Sequence, residues 1–320
     1  MEATNELSRF AKFAWFTLGY NIVVIIWGVF LCASKSGDGC GQHWLTCQGE
    51  VIPSAPELKT IIEFSHRLTT GPAFIFVLIL LVWALRKYGR GDVVTKTALV
   101  SFVFIISEVL VGAGLVLTGN TAETLTAARP YWAIGHLINT FILLAFLTLT
   151  AWFASGGRSS LKMNASTKTV SLILLGIIGI LFVGTTGSVA ALSSMLFPTE
   201  TIVEGISQDF SASSNILVRL RLAHPIVSIL VGVYVMFLAG WLKATAADPS
   251  VTRWSNILSV LVITQLAFGA ATLFSLGPII MQLGHLLLAD LLWISFVILV
   301  ANYLWDRNEI PSRLSKVSRG

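Results

Sequence analysis

The residues with most chemistry in this chain are four histidines, each near the start of a long apolar stretch: His66, His136, His224 and His285. Gly135-His136-Leu137 returns as Gly284-His285-Leu286, and His66 and His224 open the second apolar stretch of each half of the chain. Imidazole binds metals and moves protons near neutral pH. A single histidine on an apolar helix is commonly a hydrogen-bonded packing residue. Four in two matched pairs, 70 and 61 residues apart, point instead to ligation of a metal or cofactor.

The elements that must position them are membrane spans. The chain has 320 residues, 55% of them hydrophobic and 12% charged, with a mean hydropathy of +0.81. Such a composition belongs in a bilayer, where a helical crossing takes about 20 residues. Eight stretches qualify, at about 13–33, 61–85, 97–118, 131–154, 168–191, 217–242, 254–276 and 279–304. Arg9 and Lys12 precede the first, which is too long for a signal-peptide core and lacks small residues at Phe30-Leu31-Cys32, so it is expected to remain a span.

Basic residues set the orientation. With the N-terminus inside, the inner segments carry Arg9, Lys12, Arg86, Lys87, Arg90, Lys96, Arg158, Lys162, Lys168, Lys243, Arg253, Arg307, Arg313, Lys316 and Arg319, 15 of the 21. Lys35, Lys59, Arg67, Arg129, Arg219 and Arg221 fall at the outer rim. The bias puts both termini in the cytoplasm. It also accounts for the net charge of +5, so no nucleic-acid partner is inferred; the bilayer is the partner that the composition requires.

The expected fold class is therefore all-α integral membrane, with eight transmembrane helices as two pseudo-repeated four-helix bundles. Residues 1–155 form one half and 156–320 the other, divided at the Gly/Ser-rich run 155–160. The second, fourth, sixth and eighth spans all enter from outside. Their histidines lie five to seven residues past the expected helix starts, so at 1.5 Å per residue all four sit about 10 Å deep in one layer.

Other polar groups gather near that layer. Glu63 is three residues before His66 and shares its helical face; it is either a functional acid or an interfacial carboxylate at the helix start. Glu108 in Ser107-Glu108-Val109 aligns with Gln265 in Thr264-Gln265-Leu266, both read as interhelical hydrogen-bonding positions or pocket lining. Asp290, five residues past His285, is expected to have a packing or water-bonded role. Cys40 and Cys47, separated by six residues in the outer loop with His43 and Trp44 between them, suggest a disulfide, either a loop staple or a redox-active pair. Cys32 is expected to be a packed apolar thiol. The corresponding loop of the second half, 192–216, has Glu200, Glu204 and Asp209 but no cysteine.

Zinc would want three or four converging ligands. Histidine pairs from facing helices suit axial ligation of a planar porphyrin, and Gly71, Gly112, Gly114, Gly269 and Ala270 leave room for one. Arg67, Arg129, Arg219 and Arg221 are candidate partners for haem propionates, or else snorkel to the interface. Aligning His66 with His224 sets Glu63 opposite Arg221. One half thus has a carboxylate and a cysteine pair, the other a cation and no cysteine, so the first site is expected to do chemistry and the second to support it by passing electrons.

Taken together, the Cys-x6-Cys loop, Ile62-Glu63-Phe64-Ser65-His66-Arg67, the two Gly-His-Leu triplets and Leu222-Ala223-His224-Pro225 resemble the haem A synthase family over nearly the whole chain. The resemblance implies oxidation of the C8 methyl group of haem O to the formyl group of haem A for terminal oxidase biogenesis. It implies His66 and His136 as ligands of substrate haem O, His224 and His285 as ligands of haem b iron, Glu63 as the catalytic acid beside the reacting haem, and Cys40 and Cys47 as the family's outer-loop pair. It further implies a haem O synthase upstream, oxidase assembly factors downstream, an electron partner of unstated identity and a place in the cell membrane with the haem sites toward the outer face. Some members carry a second cysteine pair, absent here. A dihaem b-type electron-transfer cytochrome and a haem transporter or chaperone are the alternatives; only the synthase converts haem O.

Overall fold

The computed structural model describes residues 7–156 and 165–305. Arg158, Lys162, Arg307, Arg313, Lys316, Arg319 and most of the Gly/Ser run lie outside the described residues. The chain is all-helical: α1 (Arg9–Ala33), α2 (Leu58–Tyr88), α3 (Val93–Leu117), α4 (Arg129–Ala154), α5 (Thr167–Leu196), α6 (Ile202–Phe210), α7 (Ile216–Leu220), α8 (Ala223–Thr245), α9 (Pro249–Phe274) and α10 (Ile279–Leu304). Among the described residues the extended backbone amounts to one bridge between Cys47 and Glu50. Counting α7 and α8 together, eight helices are long and apolar enough to cross a membrane, within a few residues of the expected positions.

The expected sixth span is broken in two. Pro225 has no N–H to give the carbonyl of Arg221, and its ring crowds that carbonyl. The chain responds with a tight turn, in which His224 N–H donates to Arg221 O at 3.2 Å. The break falls just before His224 and turns that residue into the start of α8.

Helix ends are treated in two ways. Ser8, Asp92, Ser166 and Asp248 cap α1, α3, α5 and α9, each accepting from a first-turn N–H, a contact typically worth about 1 kcal/mol. The four helices that carry the histidines, α2, α4, α8 and α10, have no side-chain cap. Their starts are held by loops instead.

Within the helices, hydroxyls turn back on their own backbone: Thr17 on Phe13, Ser101 on Thr97, Thr148 on Leu144 and Thr150 on Phe146. Where no water is at hand this is how a hydroxyl avoids the penalty of burial. α1 to α4 pack each against the next, with α4 returning to α1, and α5, α8, α9 and α10 pack in the same order. Phe296 of α10 closes the second set by covering Gly176 of α5, where a Cβ would lie 3.1 Å from its ring. The two sets meet along α4 and α10. There Trp293 donates its indole N–H to Phe141 O at 2.7 Å and stacks on the Phe141 ring.

Asp290 lies in this buried region, fully enclosed, and among the described residues neither of its carboxylate oxygens finds a hydrogen-bond partner. Cys32 departs from expectation: it is exposed on the chain's own surface.

Candidate functional site

In the second set the two histidines come together. The rings of His224 on α8 and His285 on α10 stand 6.2 Å apart, centre to centre, at 88° to one another. His224 turns Nδ1 to the hydroxyls of Thr186, at 3.3 Å, and Ser228, at 3.5 Å, so that its Nε2 is left for another partner. Gln265 of α9 donates Nε2–H to the His285 carbonyl at 3.1 Å and lies 3.4 Å from His285 Nε2. Glycines make room for both rings: a Cβ on Gly187 would lie 3.0 Å from His224 Cε1, and one on Gly269 2.9 Å from His285 Cε1.

The first set carries different chemistry. Gly28 of α1 faces His66 as Gly187 faces His224, with only 3.1 Å between a Cβ there and His66 Cε1. His136 on α4 faces Glu108 on α3, whose Oε1 is 3.0 Å from His136 Nδ1, without meeting hydrogen-bond geometry. Glu108 also accepts from Thr140 Oγ1 at 2.5 Å and from Asn139 Nδ2. The interhelical hydrogen-bonding role read for Glu108 and Gln265 is thus what the structure shows.

Two ring nitrogens, Nδ1 of His66 and His285, are sealed from solvent and have no hydrogen-bond partner among the described residues. Leaving such a group unpaired costs about 1–3 kcal/mol. His224 and His285 lie as a pair, and no group of three or more metal-binding side chains occurs among the described residues. Both observations fit a metal whose remaining ligands come from a macrocycle. Bonds of about 2 Å from one metal to a nitrogen of each ring are compatible with the separation of His224 and His285. The space expected at the small residues is uneven. Gly71 and Gly112 open onto empty space, while Gly114 lies under the Trp132 ring, at 2.4 Å from a built Cβ.

Beside His66 and beside His224 a connecting segment forms a roof, and the residue three before the histidine pins it. Glu63, 3% exposed, accepts from Cys40 N–H at 2.8 Å and pairs with Arg67. Arg67 in turn donates to the carbonyls of His43 and Thr46, at 2.7 and 2.8 Å. The loop so held carries a Cys40–Cys47 disulfide with both residues buried. In the second set Arg221 pairs with Asp209 and donates to Gly205 O at 3.0 Å, tying down α6. Arg129 donates to the carbonyls of Ala122 and Thr124, and Arg219 is exposed. Of the four arginines singled out in the sequence, three therefore already hold the segments between the long helices. Outside the helices, Lys35 bonds Glu123 at 2.5 Å and holds that carboxyl below the usual carboxylate range.

Gly39 shows how closely the first roof is fitted. A Cβ there would lie 2.4 Å from the Lys59 carbonyl, at the start of α2, and Gly39 O accepts from Thr60 Oγ1 at 2.7 Å. Gly39→Ala is expected to cost about 1–3 kcal/mol through overpacking and to lift the loop. A membrane-impermeant reductant should then open Cys40–Cys47 about 10- to 100-fold faster, read as the rate of thiol labelling.

Several of these contacts escape sequence reasoning. Gly28 and Gly187 stand well away along the chain from the histidines they face, and nothing local marks them. Asn139 and Thr140, by contrast, follow His136 at the i+3 and i+4 spacing that shares a helix face, a signal available in the sequence.

Fold and site together define a multi-pass helical membrane protein with two partly buried histidines in each of two helix sets. Residues 11–297 match the COX15-CtaA family, described as cytochrome oxidase assembly protein, and the chain belongs to it. It is 42% identical over 302 residues to a Thermus thermophilus protein named protoheme IX farnesyltransferase, a match that covers 94% of this chain and 49% of that one. The chain thus spans about half the length of that relative. It is 37% identical over 126 residues to heme A synthase of Halalkalibacterium halodurans, 39% of this chain and 42% of that one. With heme A synthase of Alkalihalophilus pseudofirmus it shares 26% identity over 281 residues, 85% of this chain and 90% of that one.

Proposed function

We propose that this chain is a haem A synthase, an integral-membrane oxidoreductase that converts the C8 methyl group of haem O to the formyl group of haem A. The observation that carries the reading is the two partly buried histidines in each helix set, under roofs held by opposite charges, Glu63 and Arg221. In this reading 1–155 and 156–320 are two copies of one four-helix plan. His66 and His136 hold substrate haem O, and His224 and His285 hold haem b. Haem b, when bound, supplies one-electron redox chemistry.

The chain's own residues then have defined tasks. The four histidines orient the two macrocycles toward the outer face, in a layer shielded from water by the loop 34–57 and by α6. Methyl oxidation removes electrons and protons together, and Glu63 is the proton-handling group beside the substrate. Arg67, Arg129, Arg219 and Arg221 stand where propionates would emerge; the exposed Arg219 can turn to one directly, while the others would have to share with loop carbonyls. Cys40–Cys47 either staples the loop or takes part in redox chemistry. The farnesyl transfer named for the twofold longer relative supports a farnesylated haem as the substrate, delivered by a haem O synthase. An electron partner and oxidase assembly factors complete the set of partners, and the cell membrane is the place.

The repeated plan itself favours a second reading, a dihaem b-type cytochrome that only carries electrons. Co-expression with a haem O synthase in a host lacking haem A, followed by chromatography of extracted pigments, separates the two. Haem A or its alcohol precursor, absent without this chain, is the expected result. Only haems B and O in a fully loaded protein would establish the cytochrome instead.

A further inference from the structure

The two sets treat the histidine of their last helix differently. His136 Nδ1 faces the carboxylate of Glu108 at 3.0 Å. That carboxylate is seated by Asn139 and Thr140, and Asn139 also reaches Phe104 O at 3.0 Å, tying α4 to α3 on the same face. At the aligned positions the second set has Gln265 in place of Glu108, and Leu288 and Ala289 in place of Asn139 and Thr140. Gln265 is neutral, and it offers a donor to the His285 carbonyl. An entire polar cradle is therefore present on one side and replaced by apolar residues on the other. Such an arrangement exceeds what helix association needs, since a single interhelical bond of the Gln265 kind already joins α9 to α10.

A carboxylate beside the non-ligating nitrogen of a metal-bound imidazole makes that ligand more basic and favours the more highly charged metal. We propose that Glu108 is a positioning residue that acts through His136, lowering the reduction potential of an iron held in the first set relative to one held in the second. This rests on the reading of His66 with His136, and His224 with His285, as haem ligand pairs. The electrostatic consequence is direct: the first site holds an oxidised iron more firmly, and electrons leaving it run downhill to the second.

The test uses the full chain, loaded with haem B in lipid nanodiscs and titrated optically against electrode potential. His66→Ala, which removes the first-set pigment, assigns the two waves. Wild type should show two potentials, the lower from the first set. Glu108→Gln should raise that one alone, by at least tenfold in the ferric-to-ferrous ratio, about 59 mV for a one-electron couple. Glu108→Asp should restore most of the difference. Gln265→Glu, which disturbs nothing in the first set, should lower the second potential and keeps the idea testable should Glu108→Gln fail to assemble. A loaded protein in which neither exchange moves its own potential, or in which Glu108→Gln moves both equally, overturns the role of Glu108 while leaving the ligand pairs intact. A wild-type chain that takes up no haem in the first set overturns both the ligand reading and this inference.

Discussion

Glu63→Gln is expected to lower formation of the formyl product by about 10²–10⁴-fold, the usual range for loss of a positioned acid or base, while the second-set haem b stays in place. The structure makes this exchange informative. Glutamine keeps the size of the side chain and an oxygen to accept Cys40 N–H, a bond of 2.8 Å in the parent. Arg67 keeps its hold on the carbonyls of His43 and Thr46. What is lost is the negative charge, the ability to take up a proton and the pairing with Arg67, whose guanidinium then faces the amide NH2 and is left to the two loop carbonyls. The loop should therefore remain seated, seen as unchanged resistance of Cys40–Cys47 to an impermeant reductant, while haem O accumulates in the pigment extract. Wild-type turnover in Glu63→Gln would remove this residue from the mechanism. Faster opening of the disulfide alongside lost turnover would show that the roof, and not the proton, was disturbed.

Much of the architecture was legible because a membrane imposes it. Runs of about 20 apolar residues have few alternatives, and each of the eight long helices lies close to its expected place. A common depth for the four histidines was an expectation of the same kind, since depth along a helix follows from residue count. Glu108 and Gln265 declared themselves through alignment of the two halves, and both proved to bridge helices. Partners across a loop were harder. Glu63 and Arg221 look in the sequence like opposite chemistry at equivalent positions, yet each secures an outer segment, the one through Cys40 and Arg67, the other through Asp209 and Gly205. A charge at a helix start can satisfy loop backbone or an incoming ligand, and helical periodicity gives its face without its partner. The break before His224 was readable in principle from Pro225.

The second large effect separates the two helix sets. His224→Ala and His285→Ala are each expected to empty the second set of haem b while the first set keeps its pigment, and His66→Ala and His136→Ala to do the converse. The expectation follows from geometry. His224 and His285 belong to helices of one set and face each other at 6.2 Å, and His136 is bound to its own set through Glu108 on α3. The seam between the sets is closed by apolar contact and by the Trp293 bond to Phe141, so removal of one imidazole has no path by which to empty the other pair. Loss of one axial ligand should also convert a six-coordinate low-spin spectrum into a high-spin one wherever the pigment is partly retained. A pyridine haemochrome assay on the four purified variants, with absorption spectra before extraction, reads both quantities. Full haem b content in His224→Ala and His285→Ala would overturn the ligand assignment of the second set. Loss of both pigments from any one variant would mean that the sets fold and load as a single unit, and the division of labour between substrate and cofactor sites would then have to rest on their roofs alone.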